Sequence, residues 1–408
     1  MTRSLYDLDP GQLEELVAEA GEPPYRARQL VHRLDDRRQP DPRAMTNLPR
    51  SLRAQLSERF AEAGLALDQH QAGDDGWTHK FLFRLPGGDA VESVLMLYPP
   101  AGSRPEDDWE GGPRGRATVC ISSQAGCAMG CTFCATGQFG FTRHLSAGEI
   151  VEQVARVSTL LPELRPGPGA PDHLTNVVFM GMGEPFANQD ATWGAAYRLH
   201  QGFGLSARAI TISTVGLVPG IRRAATEPLP VNLAVSIHAA DDATRDLLVP
   251  VNRTWPIAAL LEAVRDYVAA TRRRVSFEYA LMDGVNDDQD QARKLGRLLA
   301  PLRVPHSGGH AAHVNLIPYN PTPGTGFSPP SKSAVRRFRE TVAASGVPVS
   351  VRANRGVGID AACGQLRTTA GRPGRGLSDR GRGPRPVAGP PADDVGPGRR
   401  VLPLAEPG

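Results

Sequence analysis

The chain has 408 residues, 22% of them charged, and a formal net charge of +3. No apolar run approaches the roughly 20 residues that span a bilayer, and MTRSLYDLDPGQLEELV at the start lacks a signal-type apolar stretch, so membrane and exported classes are set aside. The positive balance sits in residues 367–408, where eight arginines face four acids; the remainder sums to −1, and global charge names no partner.

Residues 1–75 are predicted to form a small N-terminal helical accessory domain. Leu13, Leu16, Val17 and Ala20 follow helical spacing, and Gly21 with Pro23-Pro24 stops that helix. PYRARQLVHRL resumes the pattern with Arg26, Arg33 and Arg37 on or near one face, which reads equally as a solvated surface or a phosphate contact. Residues 76–116 are predicted as a β-hairpin and linker. WTHKFLFRLPGGDAVESVLMLY gives two alternating runs joined by Pro86-Gly87-Gly88-Asp89, and residues 99–116 are rich in Pro, Gly and charge.

From residue 117 to 366 strands alternate with helices. The β-rich runs are ATVCISS, NVVFMGM, AITIST, NLAVSIH, RVSFEYALM and HVNLIPY. SAGEIVEQVARVSTLL opens with a capping-box pattern, Ser146 with Glu149 three residues on. Pro256 falls where a first helical turn tolerates it, and DDQDQARKLGRLLAPL and SKSAVRRFRETVAAS continue the alternation. This order predicts an α/β fold of parallel βα units closing into a full or partial barrel, with the site at the strands' C-terminal ends. Residues 367–408 are Gly, Pro and Arg with few large apolar residues, and are predicted to be disordered.

GCAMGCTFCATG places Cys127, Cys131 and Cys134 in a C-x3-C-x2-C pattern directly after a predicted strand. In a cytoplasmic protein, which the chain is expected to be, clustered thiols read as metal ligands before disulfides. Structural zinc takes four protein ligands, and Cys120 in the preceding strand is available as a fourth. A [4Fe–4S] cluster also takes four cysteines. With three, one iron is left open to chelate the amino and carboxylate groups of S-adenosylmethionine and pass an electron to its sulfonium.

With Phe133 before its third cysteine, this motif resembles the radical S-adenosylmethionine (SAM) signature. Together with GMGEP (181–185), the stretches CISSQAGCAMGCTFCATG, FMGMGEPFAN, HVNLIPYNPTPG and IDAACGQL resemble the RlmN/Cfr family of RNA adenine methyltransferases, from the first helices to about residue 366. The resemblance implies a partial (βα)6 radical SAM barrel with a [4Fe–4S] cluster on Cys127, Cys131 and Cys134. It places two S-adenosylmethionines per turnover near Gly183, Glu184, Ser213, Ser236, Ile237, His238 and Asn320. It implies that Cys363 is methylated on sulfur and becomes transiently bonded to RNA, that Cys120 resolves that bond as a disulfide, and that Glu92 accepts a proton. Without it, Cys120 and Cys363 are small buried residues, Glu92 an exposed strand glutamate, and His238 a hydrogen-bonded structural histidine.

By resemblance the target is carbon 2 of an adenine in 23S rRNA at the peptidyl transferase centre, with tRNA next to the anticodon as a second substrate. An electron donor such as flavodoxin and a monomeric, membrane-free enzyme are expected. Arg26, Arg28, Arg33, Arg114 and Arg116 are candidate phosphate holders. Two other readings stand: carbon-8 methylation, as in the family's resistance branch, and a noncatalytic zinc-containing RNA-binding protein. Pro185 and Pro318 resemble the carbon-2 branch. VPHSGGHAAHVN (304–315) and the Arg-Gly-Pro tail depart from the family pattern, away from the motif residues.

Overall fold

The first helix starts on a side-chain cap. In the computed structural model, which describes residues 4–36, 38–60, 64–100, 115–167, 169–305, 307–352, 356–362 and 364–366, Asp9 accepts from Gln12 N and begins α1 (Pro10–Glu19). Leu13, Leu16 and Val17 are buried there, against α2 (Tyr25–Asp35) with its buried Ala27, Leu30 and Leu34. A third helix, α3 (Arg50–Arg59), buries Leu52 and Leu56. The predicted tail, residues 367–408, lies outside the described residues.

Next comes an antiparallel run, β1 (Ala66–Ala72), β2 (Thr78–Arg84) and β3 (Ala90–Tyr98). The predicted turn closes β2 onto β3: Leu85 N donates to Asp89 O at 2.8 Å, with Gly87 and Gly88 at positive φ. β3 then pairs antiparallel with β4 (Arg116–Cys120), so the hairpin and the parallel strands share one sheet. β1 was not predicted. Its sequence, ALDQHQA, is exposed at every position and shows no apolar alternation.

The remaining elements are a ribbon of β5 (Gln124–Gly126) and β6 (Phe141–His144) flanking the short α4 (Ala135–Phe139), then α5 (Ala147–Leu164), β7 (Asn176–Phe179), α6 (Gln189–Gln201), β8 (Ile210–Thr214) and α7 (Val218–Ala224). After these come β9 (Asn232–Ser236), α8 (Asp242–Leu248), α9 (Ile257–Thr271), β10 (Val275–Leu281), α10 (Gln289–Leu299), β11 (Ala312–Pro318), α11 (Lys332–Ala344) and β12 (Val349–Val351). Strands β4, β7, β8, β9, β10 and β11 are the six predicted ones, parallel and in that order. β12 adds a seventh parallel strand, too short to be recognised in the sequence. The fold is a partial α/β barrel, with edges at β1 and β12.

The capping box forms as predicted at α5, where Ser146 and Glu149 exchange bonds with each other's backbone. Pro256 is the residue before α9 and not its first turn. One face of the sheet packs on helices through fully buried Val177, Ile210 and Ile212. The opposite face lines an open lumen, where alternate residues such as Val178, Thr211 and Ser213 are only half-buried.

The N-terminal helices are tied to this barrel by partly buried polar contacts. Asp7 accepts from Gly148 N at 2.6 Å and from Ser146 Oγ at 3.1 Å, at the start of α5. Arg198 on α6 donates to Asp35 at 3.0 Å and to Leu8 O at 3.0 Å.

Candidate active site

The three cysteines occupy one loop whose path depends on glycine. Gly126 sits at φ 76°, and a Cβ there would lie 2.0 Å from the Gly140 carbonyl oxygen, so only glycine lets the chain leave the β5–β6 ribbon here. Cys127 N donates to that same carbonyl at 2.9 Å. Cys131 follows in a turn, and Cys134 is the residue from which α4 starts. Thr132 N binds Leu248 O at 3.1 Å, which pins the loop to the end of α8. Burial pushes the Cys127 thiol up to about 12 and raises Cys131 well above its ordinary value, with neighbouring thiols adding to the effect. Such thiols ionise only against positive charge, which iron supplies, and soft thiolates match an iron–sulfur cluster. The donor set therefore fits the cluster. Among the described residues, no three Cys, His, Asp or Glu side chains converge tightly enough to hold a single metal ion.

The loop after β7 presses against the cysteine loop. Gly181 would place a Cβ 2.7 Å from Ile121 O, and Gly183, at φ 101°, would place one 2.6 Å from Gln124 Cβ. Glu184 N donates to Gln124 Oε1 at 2.8 Å. The buried Glu184 carboxylate accepts from Phe186 N at 2.9 Å and Val215 N at 2.7 Å, which joins the loops after β7 and β8. Burial raises its pKa to about 7 although both backbone donors favour the charged form.

Ser213 on β8 donates to Phe179 O at 2.7 Å. Ser236 ends β9, and Ile237 and His238 follow with His238 at φ 55°. His238 is buried. Its Nδ1 accepts from Ala280 N at 3.0 Å, so the neutral ring carries its proton on Nε2, and burial, then Arg245, holds its pKa down to about 3. Phe133 meets that ring edge-on at 4.7 Å. Asn320 lies buried just beyond β11, with its carbonyl accepting from Thr322 Oγ1 at 3.1 Å.

Strand register shows which predicted residues share a face. Cys120 pairs with Val94 on β3 and Val178 on β7, Val178 with Thr211, and Ser213 with Ala234. Ser236 pairs with Glu278, Glu278 with Asn315, and Asn315 with Ser350. Because side chains alternate along each strand, Glu92, Cys120, Ser213 and Ser236 all face the lumen. Glu92 is buried and lies 3.5 Å from Lys80 Nζ, which corrects the reading of an exposed strand glutamate; the lumen buries its face of the hairpin. Cys363 lies outside the described residues. Its neighbours are held at the cysteine loop: Ala135 N donates to Gly364 O at 2.8 Å, and Thr136 Oγ1 to Leu366 O at 2.7 Å.

Two residues missed by sequence reasoning belong to this site. Glu278 is buried, with Oε1 accepting from Asn315 at 2.8 Å while Oε2 makes no hydrogen bond among the described residues. Arg245 is fully buried and donates to Ile237 O, Asn252 Oδ1, Val215 O and Ser236 O at 3.0, 2.7, 2.6 and 3.2 Å. It fastens α8 to the loops after β8 and β9. An arginine in a helix reads as a solvated residue, so no sequence signal marked it. Replacing Arg245 by methionine strands four acceptors, so urea unfolding should show a loss on the order of 4 kcal/mol. Lysine should recover little, because one ammonium cannot reach acceptors spread around a planar fork.

A family model described as the radical SAM superfamily matches residues 121–295. One described as the ribosomal RNA large subunit methyltransferase N-terminal domain matches residues 3–61. A protein of Chloroflexus aurantiacus named probable dual-specificity RNA methyltransferase RlmN is 51% identical over 89% of this chain and 92% of its own length. The chain belongs to the RlmN family. A relative of the same name from Salinispora tropica is 47% identical over 90% of this chain and 94% of its own. The crystal structure of a radical SAM methyltransferase from Sphaerobacter thermophilus superposes with a TM-score of 0.79 at 47% identity, covering 90% of this chain and 99% of that one. RlmN proteins are radical SAM RNA methyltransferases, which implies a [4Fe–4S] cluster and S-adenosylmethionine here. Among the described residues no helix is long and apolar enough to cross a membrane.

The predicted phosphate holders divide. Arg26 donates to Gln29 Oε1 at 2.8 Å and Asn47 O at 3.2 Å, and Arg33 to Asn47 Oδ1 at 2.6 Å, so these two brace the N-terminal helices. Arg28 is exposed. Arg116 stacks over the Tyr98 ring at 4.3 Å, and Arg114 and Arg37 lie outside the described residues.

Proposed function

We propose that this protein methylates carbon 2 of an adenine in 23S rRNA, at the peptidyl transferase centre, and of tRNA beside the anticodon. The observation behind this reading is the attachment of residues 364–366, which flank Cys363, to the helix that starts at Cys134. Cys127, Cys131 and Cys134 would hold the cluster. Gly183, Glu184, Ser213, Ser236, Ile237, His238 and Asn320 would hold S-adenosylmethionine, with the Nε2 proton of His238 available as a donor. When bound, the cluster reduces the sulfonium and so supplies a radical able to take hydrogen from an S-methyl group.

The chain's own residues do the rest. Carbon 2 of adenine is not nucleophilic, so the methyl group is first placed on the Cys363 thiolate and later joined to the ring from that sulfur. Two S-adenosylmethionines are used per turnover, one as methyl donor and one as oxidant. Glu92, ion-paired with Lys80, accepts the ring proton. Cys120, on the lumen face, attacks Cys363 sulfur; the sulfur–carbon bond breaks, the carbon takes a proton, and a disulfide remains for a thiol reductant. The enzyme acts as a monomer and takes its electrons from a flavodoxin-type donor. The domain boundaries 1–75, 76–116, 117–366 and 367–408 describe RNA contact, sheet extension, chemistry and tail.

The site of methylation tests the reading. Target rRNA treated with the reduced holoenzyme should yield 2-methyladenosine by mass spectrometry against standards. A product of 8-methyladenosine assigns the other branch instead, and unmodified RNA removes the catalytic reading.

A further inference from the structure

Between the lumen face of β1–β3 and residues 358–360 lies a cavity of about 410 Å³, lined among others by Gln69, Gln71, Lys80, Leu82, Glu92 and Asp360. Its volume is that of a small-molecule pocket. Its walls follow from register. Gln69 pairs with Leu82 and Leu82 with Glu92; Gln71 pairs with Lys80, Lys80 with Val94, and Val94 with Cys120. These are two adjacent cross-strand rows on one face, and the second ends on Cys120. At 4.7–4.9 Å per strand, Lys80 and Cys120 are about 10 Å apart, a span that a nucleoside bridges. The far wall ends at Asp360, whose carbonyl accepts from Lys80 Nζ at 3.4 Å, three residues before Cys363.

The charges argue for a base and against a phosphate. Lys80 and Glu92 pair at 3.5 Å with 12% and 5% of their side chains exposed, so the pocket floor is close to neutral and an entering phosphate would meet the Glu92 carboxylate. Gln69 and Gln71 each offer a donor and an acceptor from an exposed strand. Paired amide donors and acceptors are the chemistry that reads the exocyclic amine and neighbouring ring nitrogen of adenine. An adenine can enter only after leaving its stack, and a flipped base is held in such a polar pocket.

We propose that this cavity seats the target adenine base, with the amides of Gln69 and Gln71 recognising the edge that carries its exocyclic amine. This rests on the adenine-methyltransferase reading above. The test compares binding of the holoenzyme to two versions of a 23S rRNA fragment spanning the peptidyl transferase loop. One carries adenine at the target position and the other purine, which lacks the amine. Wild-type protein should bind the adenine RNA about tenfold more tightly. The Gln69→Ala, Gln71→Ala protein should bring that ratio close to one and weaken the purine RNA as well, because the amide donor to the ring nitrogen is lost with the acceptor. Gln69→Glu, Gln71→Glu keeps the acceptor oxygens that take the amine and removes the amide donors to the ring nitrogen, so it should keep the ratio while weakening binding of both RNAs. A double-alanine protein that keeps the ratio overturns the proposal. So does a wild type that binds both RNAs equally, and so does a Lys80→Met protein that lowers the salt dependence of binding without changing the ratio, which would place a phosphate there. A wild type that fails to bind the fragment sinks the functional reading itself.

Discussion

RNA incubated with Cys120→Ala holoenzyme and S-adenosylmethionine should end covalently attached to the protein, with release of methylated base reduced on the order of 1,000-fold or more. The expectation follows from the sheet. Cys120 faces the lumen on the row that runs through Val94 and Lys80, and its side of the barrel holds Glu92. On the proposed reading, without its thiolate nothing displaces carbon from Cys363, so the thioether to RNA should persist through denaturing electrophoresis. Cys363→Ala should give neither adduct nor product, because the methyl group then has no sulfur to occupy. The pair separates the two roles. Methylated RNA released by Cys363→Ala protein would refute the sulfur relay whatever Cys120 does, and equal, adduct-free loss in both variants would leave Cys120 a packing residue.

Gly183→Val should weaken S-adenosylhomocysteine binding on the order of 100-fold, the equivalent of about 3 kcal/mol. Gly183 stands at φ 101°, a conformation costly to any residue with a Cβ and most so to a branched one. The added atom would also fall 2.6 Å from Gln124 Cβ and 2.8 Å from Gln124 N. A flexible side chain could step aside, but the backbone of β5 cannot. The two loops must then separate, breaking the 2.8 Å bond from Glu184 N to Gln124 and with it the seat of the Glu184 carboxylate. Gly284→Ala is the control, since Gly284 shares positive φ but has nothing within 4 Å of an added Cβ. Calorimetric titration should show wild-type affinity there, and equal weakening in both variants would remove Gly183 from the site.

Much of the fold was legible in sequence because its signals are local. Ser146 and Glu149 cap α5 as a pair three residues apart, and the six strands β4 and β7–β11 announce themselves by apolar runs between helices. The C-x3-C-x2-C loop and GMGEP are short contiguous stretches, so they could carry the resemblance to the radical SAM family, although thiol spacing alone left zinc open. β1 was illegible because an exposed edge strand needs no apolar alternation, and β12 because three residues carry no period. The arginines misled for a related reason: spacing places Arg26 and Arg33 on a helix face but does not reveal Asn47, which is brought beneath them from another segment.

What the sequence by itself determined, through its family resemblance, is the reaction class, since the motifs that carry that resemblance are stretches of contiguous chain. Tertiary structure alone decided that Gln71, Lys80 and Cys120 stand in one row, that Glu92 is buried against Lys80, and that Arg245 knots two strand-end loops. Those relations arise from strand register and burial. Both are set by pairing segments far apart in the chain, so no local pattern can encode them.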